Sequence, residues 1–250
     1  MSVLDVLLLV STAAFIAAGA LVGARLLLLA KRTRQVPDFI VGFSLFILSA
    51  VAYPLILLSS VGNLSLDATR WFSIGSVSTL ATGWVGVFVF TKQVFRPGVG
   101  WARALMLAGI AATGFGLVFG IEHALNAPDL TTLRTPSGGV LVIQAAALVL
   151  YPWTGLEGLL CWQQARKRLA LGLADPLVAN RFLLWAWIGV FSTLTVAPAF
   201  VVTLLGGDGT THVGARFCTA IGGLACAINL QLAFLPPASY RRWITGAAAA

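Results

Sequence analysis

The sequence predicts an all-α polytopic membrane protein. It reads as a bundle of seven transmembrane helices, with the N-terminus outside and the C-terminus in the cytoplasm. Three observations predict this. Of the 250 residues, 59% are hydrophobic and only 10% charged, with a mean hydropathy of +0.94, whereas about a quarter of a soluble domain is charged. Seven predominantly apolar runs are each close to the roughly 20 residues that cross a bilayer as helix. The basic residues between the runs fall mostly on alternate sides.

The runs cover residues 3–30, 39–61, 71–90, 102–125, 139–162, 182–205 and 215–235 of one 250-residue membrane domain. The first has no basic segment ahead of it and exceeds the length of a signal-peptide core. Lys31, Arg32 and Arg34 follow it instead, which places the N-terminus outside. In that topology Arg25, Lys31, Arg32, Arg34, Lys92, Arg96, Arg103, Arg166, Lys167, Arg168, Arg181, Arg241 and Arg242 are cytoplasmic. Only Arg70, Arg134 and Arg216 are outside. Thirteen against three is a strong positive-inside asymmetry. It accounts for the net charge of +8, so nucleic acid is excluded as a partner. No basic stretch with interleaved aromatics makes a groove for it. Membrane lipid is the implied solvent, and a bacterial inner (plasma) membrane the expected location.

Tryptophans mark the interfaces. Trp101, Trp162, Trp185, Trp187 and Trp243 fall near the inner one and Trp71 near the outer, while Trp84 and Trp153 lie deeper. The longest connections, 126–138 and 163–181, are too short for a catalytic domain. Small residues mark close helix packing. Gly109, Thr113, Gly116 and Gly120 share one face of the fourth span, and the small residues of the third predict a helix surrounded by neighbours. Pro54, Pro152, Pro198 and Pro236 predict kinks. Cys161, Cys218 and Cys226 form no metal or redox motif and read as small apolar residues.

Glu157, in the inner half of the fifth span, is the most informative residue. A carboxylate in hydrocarbon costs several kcal/mol unless paired or neutral, so such groups face a bundle interior or a cavity. Trp153 lies one turn before it and Cys161 one turn after. It reads either as a proton or ligand site, or as a structural group met by a basic residue such as Lys92. Gln144, Asn229, Trp84 and Tyr151 complete the candidate site. Glu122, His123 and His212 are the only candidate metal set; the first two are adjacent on one helix and diverge by about 100°, which disfavours a shared ion. The last span has no lysine, so covalent retinal is excluded; no other cofactor is indicated. No HExxH, GxSxG, CxxCH or phosphate-binding glycine loop is present, and no enzymatic activity is expected.

The end of the seventh span reads Leu232-Ala233-Phe234-Leu235-Pro236-Pro237, followed by Ala238-Ser239-Tyr240-Arg241-Arg242-Trp243. This resembles the exit of the last helix in the multi-helix membrane sensor modules of bacterial histidine kinases and diguanylate cyclases. There a Pro-Pro pair and a basic-aromatic tail precede the output domain. This sequence stops at Ala250 with no such domain, so a signal is expected to pass to a separate cytoplasmic or membrane partner. The leading expectation is a receptor-like or sensory protein binding a small apolar ligand among its helices. The alternatives are a proton-coupled transporter carrying its proton on Glu157, with Gln144 and Asn229 along the path, and an accessory subunit of a larger membrane complex.

Overall fold

The computed structural model describes residues 2–60 and 64–247. Val61, the expected end of the second span, lies outside them, as do Met1 and residues 248–250. The described chain is helical throughout, without strands. Seven helices are long and apolar enough to cross a bilayer: α1 (Val3–Thr33), α2 (Val36–Ser60), α3 (Leu66–Phe95), α4 (Gly100–Asn126), α6 (Gly138–Leu169), α7 (Pro176–Leu204) and α8 (Val213–Phe234). Two short ones join them, α5 (Leu130–Arg134) and α9 (Ala238–Ala247).

Helix starts follow from capping chemistry. Ser2, Ser65, Asp129, Ser137, Asp175 and His212 each accept a backbone N–H in the first turn of the helix they precede, satisfying a donor that has no partner within the helix. Several helices outrun their apolar stretches because polar termini extend them. α6 continues through Arg166, Lys167 and Arg168, cations that suit a helix C-terminus.

The long helices close into a ring, each packing on the next, with α4 on α6 and α8 back on α1. Glycines let backbones touch at the seams. A Cβ on Gly189 of α7 would lie 2.7 Å from the backbone nitrogen of Gly155 on α6, and one on Gly116 of α4 would lie 2.6 Å from the carbonyl oxygen of Gly139. Gly109, Thr113, Gly116 and Gly120 are the buried face of α4, as their spacing predicts. The small residues of α3 let it pack on α2 and α4 and reach across to α6, although Trp71 and Thr82 remain exposed.

Two prolines sit in settings the sequence does not show. Pro54 does not interrupt an unbroken α-helix. It follows a wide π-helical stretch, Ile47–Ala52, in which the Tyr53 N–H bonds back to Leu48, absorbing the hydrogen bond that proline cannot make. Pro236 is not inside a span, because α8 ends at Phe234 and the Pro-Pro pair separates it from α9. Trp185 is also turned into the bundle rather than outward. It is 7% exposed, and packs in the ring interior against Phe90 and Phe234, among Val22, Leu45 and Leu230. A second core, around Trp84, Phe88, Ile143, Leu150 and Trp153, joins α3, α4 and α6.

One end of the bundle carries the basic turns and the other is tied by ion pairs. At the latter, Arg70 donates to the carbonyls of Ala124 (2.9 Å) and Ala127 (3.1 Å) and pairs with Asp67. Arg216 of α8 pairs with Asp5 of α1.

Candidate functional site

Three polar pairs join α3 and α6. Trp84 donates its indole N–H to the Tyr151 hydroxyl at 2.7 Å. The Thr91 and Thr154 hydroxyls bond at 2.8 Å, fully inside the bundle. Nearest the basic end, Nε of Arg96 donates to both Glu157 oxygens at 2.7 and 2.9 Å. Trp153 donates to the same carboxylate at 3.2 Å, and Trp101 lies under the Arg96 guanidinium at 5.8 Å. Glu157 is 3% exposed. Its carboxylate raises the Arg96 pKa above the ordinary arginine value, first through the hydrogen bonds and then through its charge. The basic partner is therefore Arg96 rather than Lys92. Arg96 caps the C-terminus of α3, where the chain leaves the helix and the guanidinium can turn back to α6.

The pairs are structural ties with measurable worth. Tyr151→Phe removes the acceptor of a buried indole N–H, and an unsatisfied buried donor costs about 1–3 kcal/mol. Thermal unfolding followed by tryptophan fluorescence should show that loss. It should be absent when Tyr151→Phe is made in a Trp84→Phe background; equal losses in both backgrounds would mean the bond contributes nothing.

At the end opposite the basic one, a cavity of about 390 Å³ opens into the ring. Its walls come from α2 (Ser59, Ser60), α3 (Thr69, Ser73), α6 (Val140, Gln144) and α7 (Ala199, Thr203), roofed by 133–136 and by Gly209 and Thr210. Because α2 and α7 stand on opposite sides of the ring, the space between them is its interior. The Gln144 side-chain oxygen is buried there with no hydrogen-bond partner, while most neighbouring hydroxyls are committed to backbone carbonyls. A hollow of about 520 Å³ adjoins at the mouth, sharing Arg134, Thr135 and Pro136 and reaching Asp208. Hydrogen bonds from Thr210, the side chain first and then the backbone, hold the Asp208 carboxyl below its ordinary value.

The sequence-predicted residues thus separate. Gln144 lines the cavity. Trp84 and Tyr151 meet below it, and Trp153 joins Glu157. Gln144 and Glu157 lie 13 positions apart on α6, about 20 Å along its axis, so one small ligand does not touch both. Asn229 donates to the Ala225 carbonyl of its own helix. Glu122, His123 and His212 are not brought together; among the described residues no cluster of three metal-ligating side chains exists. His123 is bonded to the Thr132 carbonyl and His212 caps α8. Sequence reasoning missed Arg96, Thr91, Thr154 and the cavity hydroxyls. Thr91 and Thr154 carried a signal, the first seven residues from Trp84 on α3 and the second three residues from both Tyr151 and Glu157 on α6.

Seven membrane-length helices around a largely apolar interior define an integral membrane protein of the all-helical class. No protein-family model, curated protein or solved structure matches this chain.

Proposed function

We propose that this chain is a receptor-like integral membrane protein that takes a small, hydrogen-bond-donating ligand into the cavity between α2, α3, α6 and α7. The carrying observation is the partnerless Gln144 oxygen in a cavity lined by hydroxyls. A buried acceptor without a donor costs free energy that a bound donor recovers. This replaces the apolar ligand expected from the sequence, because the lining is mixed and the buried Gln144 oxygen asks for a hydrogen bond. The basic end faces the cytoplasm and the cavity opens outside, a reading supported by the distribution of lysine and arginine. The ligand state is passed to a separate partner along the α3–α6 pairs that lead from the cavity towards the basic end. A plasma membrane of bacterial type fits the resemblance at the end of α8.

Cysteine labelling in intact cells tests this reading. In a background with Cys161, Cys218 and Cys226 replaced by alanine, Thr203→Cys should react with a membrane-impermeant maleimide added outside. Co-purified small molecules bearing N–H or O–H groups should slow the reaction. Labelling of Thr203→Cys only after the cells are opened would reverse the orientation and sink the proposal.

A transporter is the second reading, favoured by the same row of polar pairs, which runs from the cavity towards the basic end. In it the Arg96–Glu157 pair closes the inner end of the path, and Glu157→Gln abolishes uptake while ligand retention by the purified protein persists.

A further inference from the structure

At the basic end, the turn between α1 and α2 borders a groove of about 440 Å³ that the receptor reading does not use. Its lining is Leu27, Ala30, Lys31, Arg34, Gln35, Val36 and Phe39. We propose that this groove is a binding site for an anionic phospholipid, with the headgroup phosphate between Lys31 and Arg34 and an acyl chain along Leu27, Val36 and Phe39.

Three observations carry it. The first is backbone strain. Arg34 has φ 55° and is the one non-glycine residue with positive φ among the described residues. It sits at the left-handed C-cap of α1, its N–H bonded to the Ala30 carbonyl at 2.8 Å. Glycine fills such a position without steric penalty, whereas an L-residue there is strained. Strain of this kind persists where the side chain has a task. The second is charge: the groove holds two cations and no carboxylate, and a guanidinium matches two phosphate oxygens at once. The third is polarity order. Val36 and Phe39 are more than half exposed, and Phe39 stacks on Phe43 further along α2. The apolar wall therefore continues from the cations towards the middle of the span. A free phosphate has no use for that wall, while a lipid uses both parts. Basic pockets between transmembrane helices hold anionic headgroups by this combination.

Native mass spectrometry of the full chain in a non-ionic detergent tests it, with phosphatidylglycerol and phosphatidylcholine of identical acyl chains titrated separately. The wild type should retain phosphatidylglycerol preferentially, and 50 mM inorganic phosphate should fail to displace it. Arg34→Gly should weaken that retention about fivefold, roughly the worth of one cation near an anionic surface, while leaving the unfolding temperature in lipid-free detergent unchanged or raised. Should Arg34→Gly not fold, Lys31→Gln serves in its place and should weaken retention similarly. Arg168→Gln, at another turn of the basic end, should leave it unaltered. Equal retention of the two lipids, or undiminished phosphatidylglycerol retention by Arg34→Gly or Lys31→Gln, would overturn the proposal. Displacement by phosphate would reassign the groove to a free anion and overturn it too.

Discussion

Arg96→Gln is expected to destabilise the protein more than Glu157→Gln, although the two substitutions break the same ion pair. Glu157 is 3% exposed, whereas the Arg96 side chain is about a third exposed at the end of α3. Removing the arginine strands a carboxylate inside the bundle. Removing one partner of a buried pair costs about 3–5 kcal/mol, because the other charge is left uncompensated. Removing the glutamate leaves a guanidinium that can swing to water, and a glutamine that still accepts from Trp153, so a loss of about 1–2 kcal/mol is expected. The double substitution should recover much of the difference. Thermal unfolding in one detergent, read by tryptophan fluorescence, measures all three. Equal losses for the single variants would show that Glu157 is not held as a buried charge by Arg96.

Gly189→Val is expected to be the most damaging single substitution at a helix seam. The glycine backbone of α7 rests directly on Gly155 of α6, and a Cβ would also meet the Tyr151 carbonyl oxygen at 2.7 Å. Overpacking costs about 1–3 kcal/mol where side chains can yield, and more is expected here because both contacts are backbone. The helices must separate, which also reshapes the walls of the cavity that α6 and α7 supply. The variant should lose its monodisperse gel-filtration peak or unfold at a much lower temperature. Gly114→Val is the control, since a Cβ there meets nothing within 4 Å. A Gly189→Val protein as stable as the Gly114→Val protein would refute the close packing of α6 and α7.

The seven long helices were legible because burial in hydrocarbon leaves a one-dimensional signal, a run of apolar residues ended by charge. The buried face of α4 was legible for a related reason, since glycine and threonine at helical spacing have little use except close approach. What stayed hidden depends on how helices turn towards one another. Glu157 was recognisable as a group needing a partner, but Lys92 and Arg96 are four residues apart on one face, and only the end of α3 decides between them. Trp185 reads as an interface anchor by its depth in the sequence, yet its helix rotates it into the ring between Phe90 and Phe234. The π-helical stretch before Pro54 leaves no compositional trace. The cavity walls come from four helices, with residues running from Ser59 to Thr210, so no window of residues contains the site.

The closure of the ring by α8 on α1 has a consequence for how the protein is made. α1 leaves the ribosome before the other six long helices and meets α2, the next of them, through Gly19, Gly23 and Gly42. Its other flank, with Ser11 against Gly223 and Asp5 against Arg216, has no partner until the seventh membrane-length helix has been inserted. For most of synthesis this flank faces lipid or an insertion factor, and the ring is an open arc. The seam between α1 and α8 is therefore the last of the ring's seams to form.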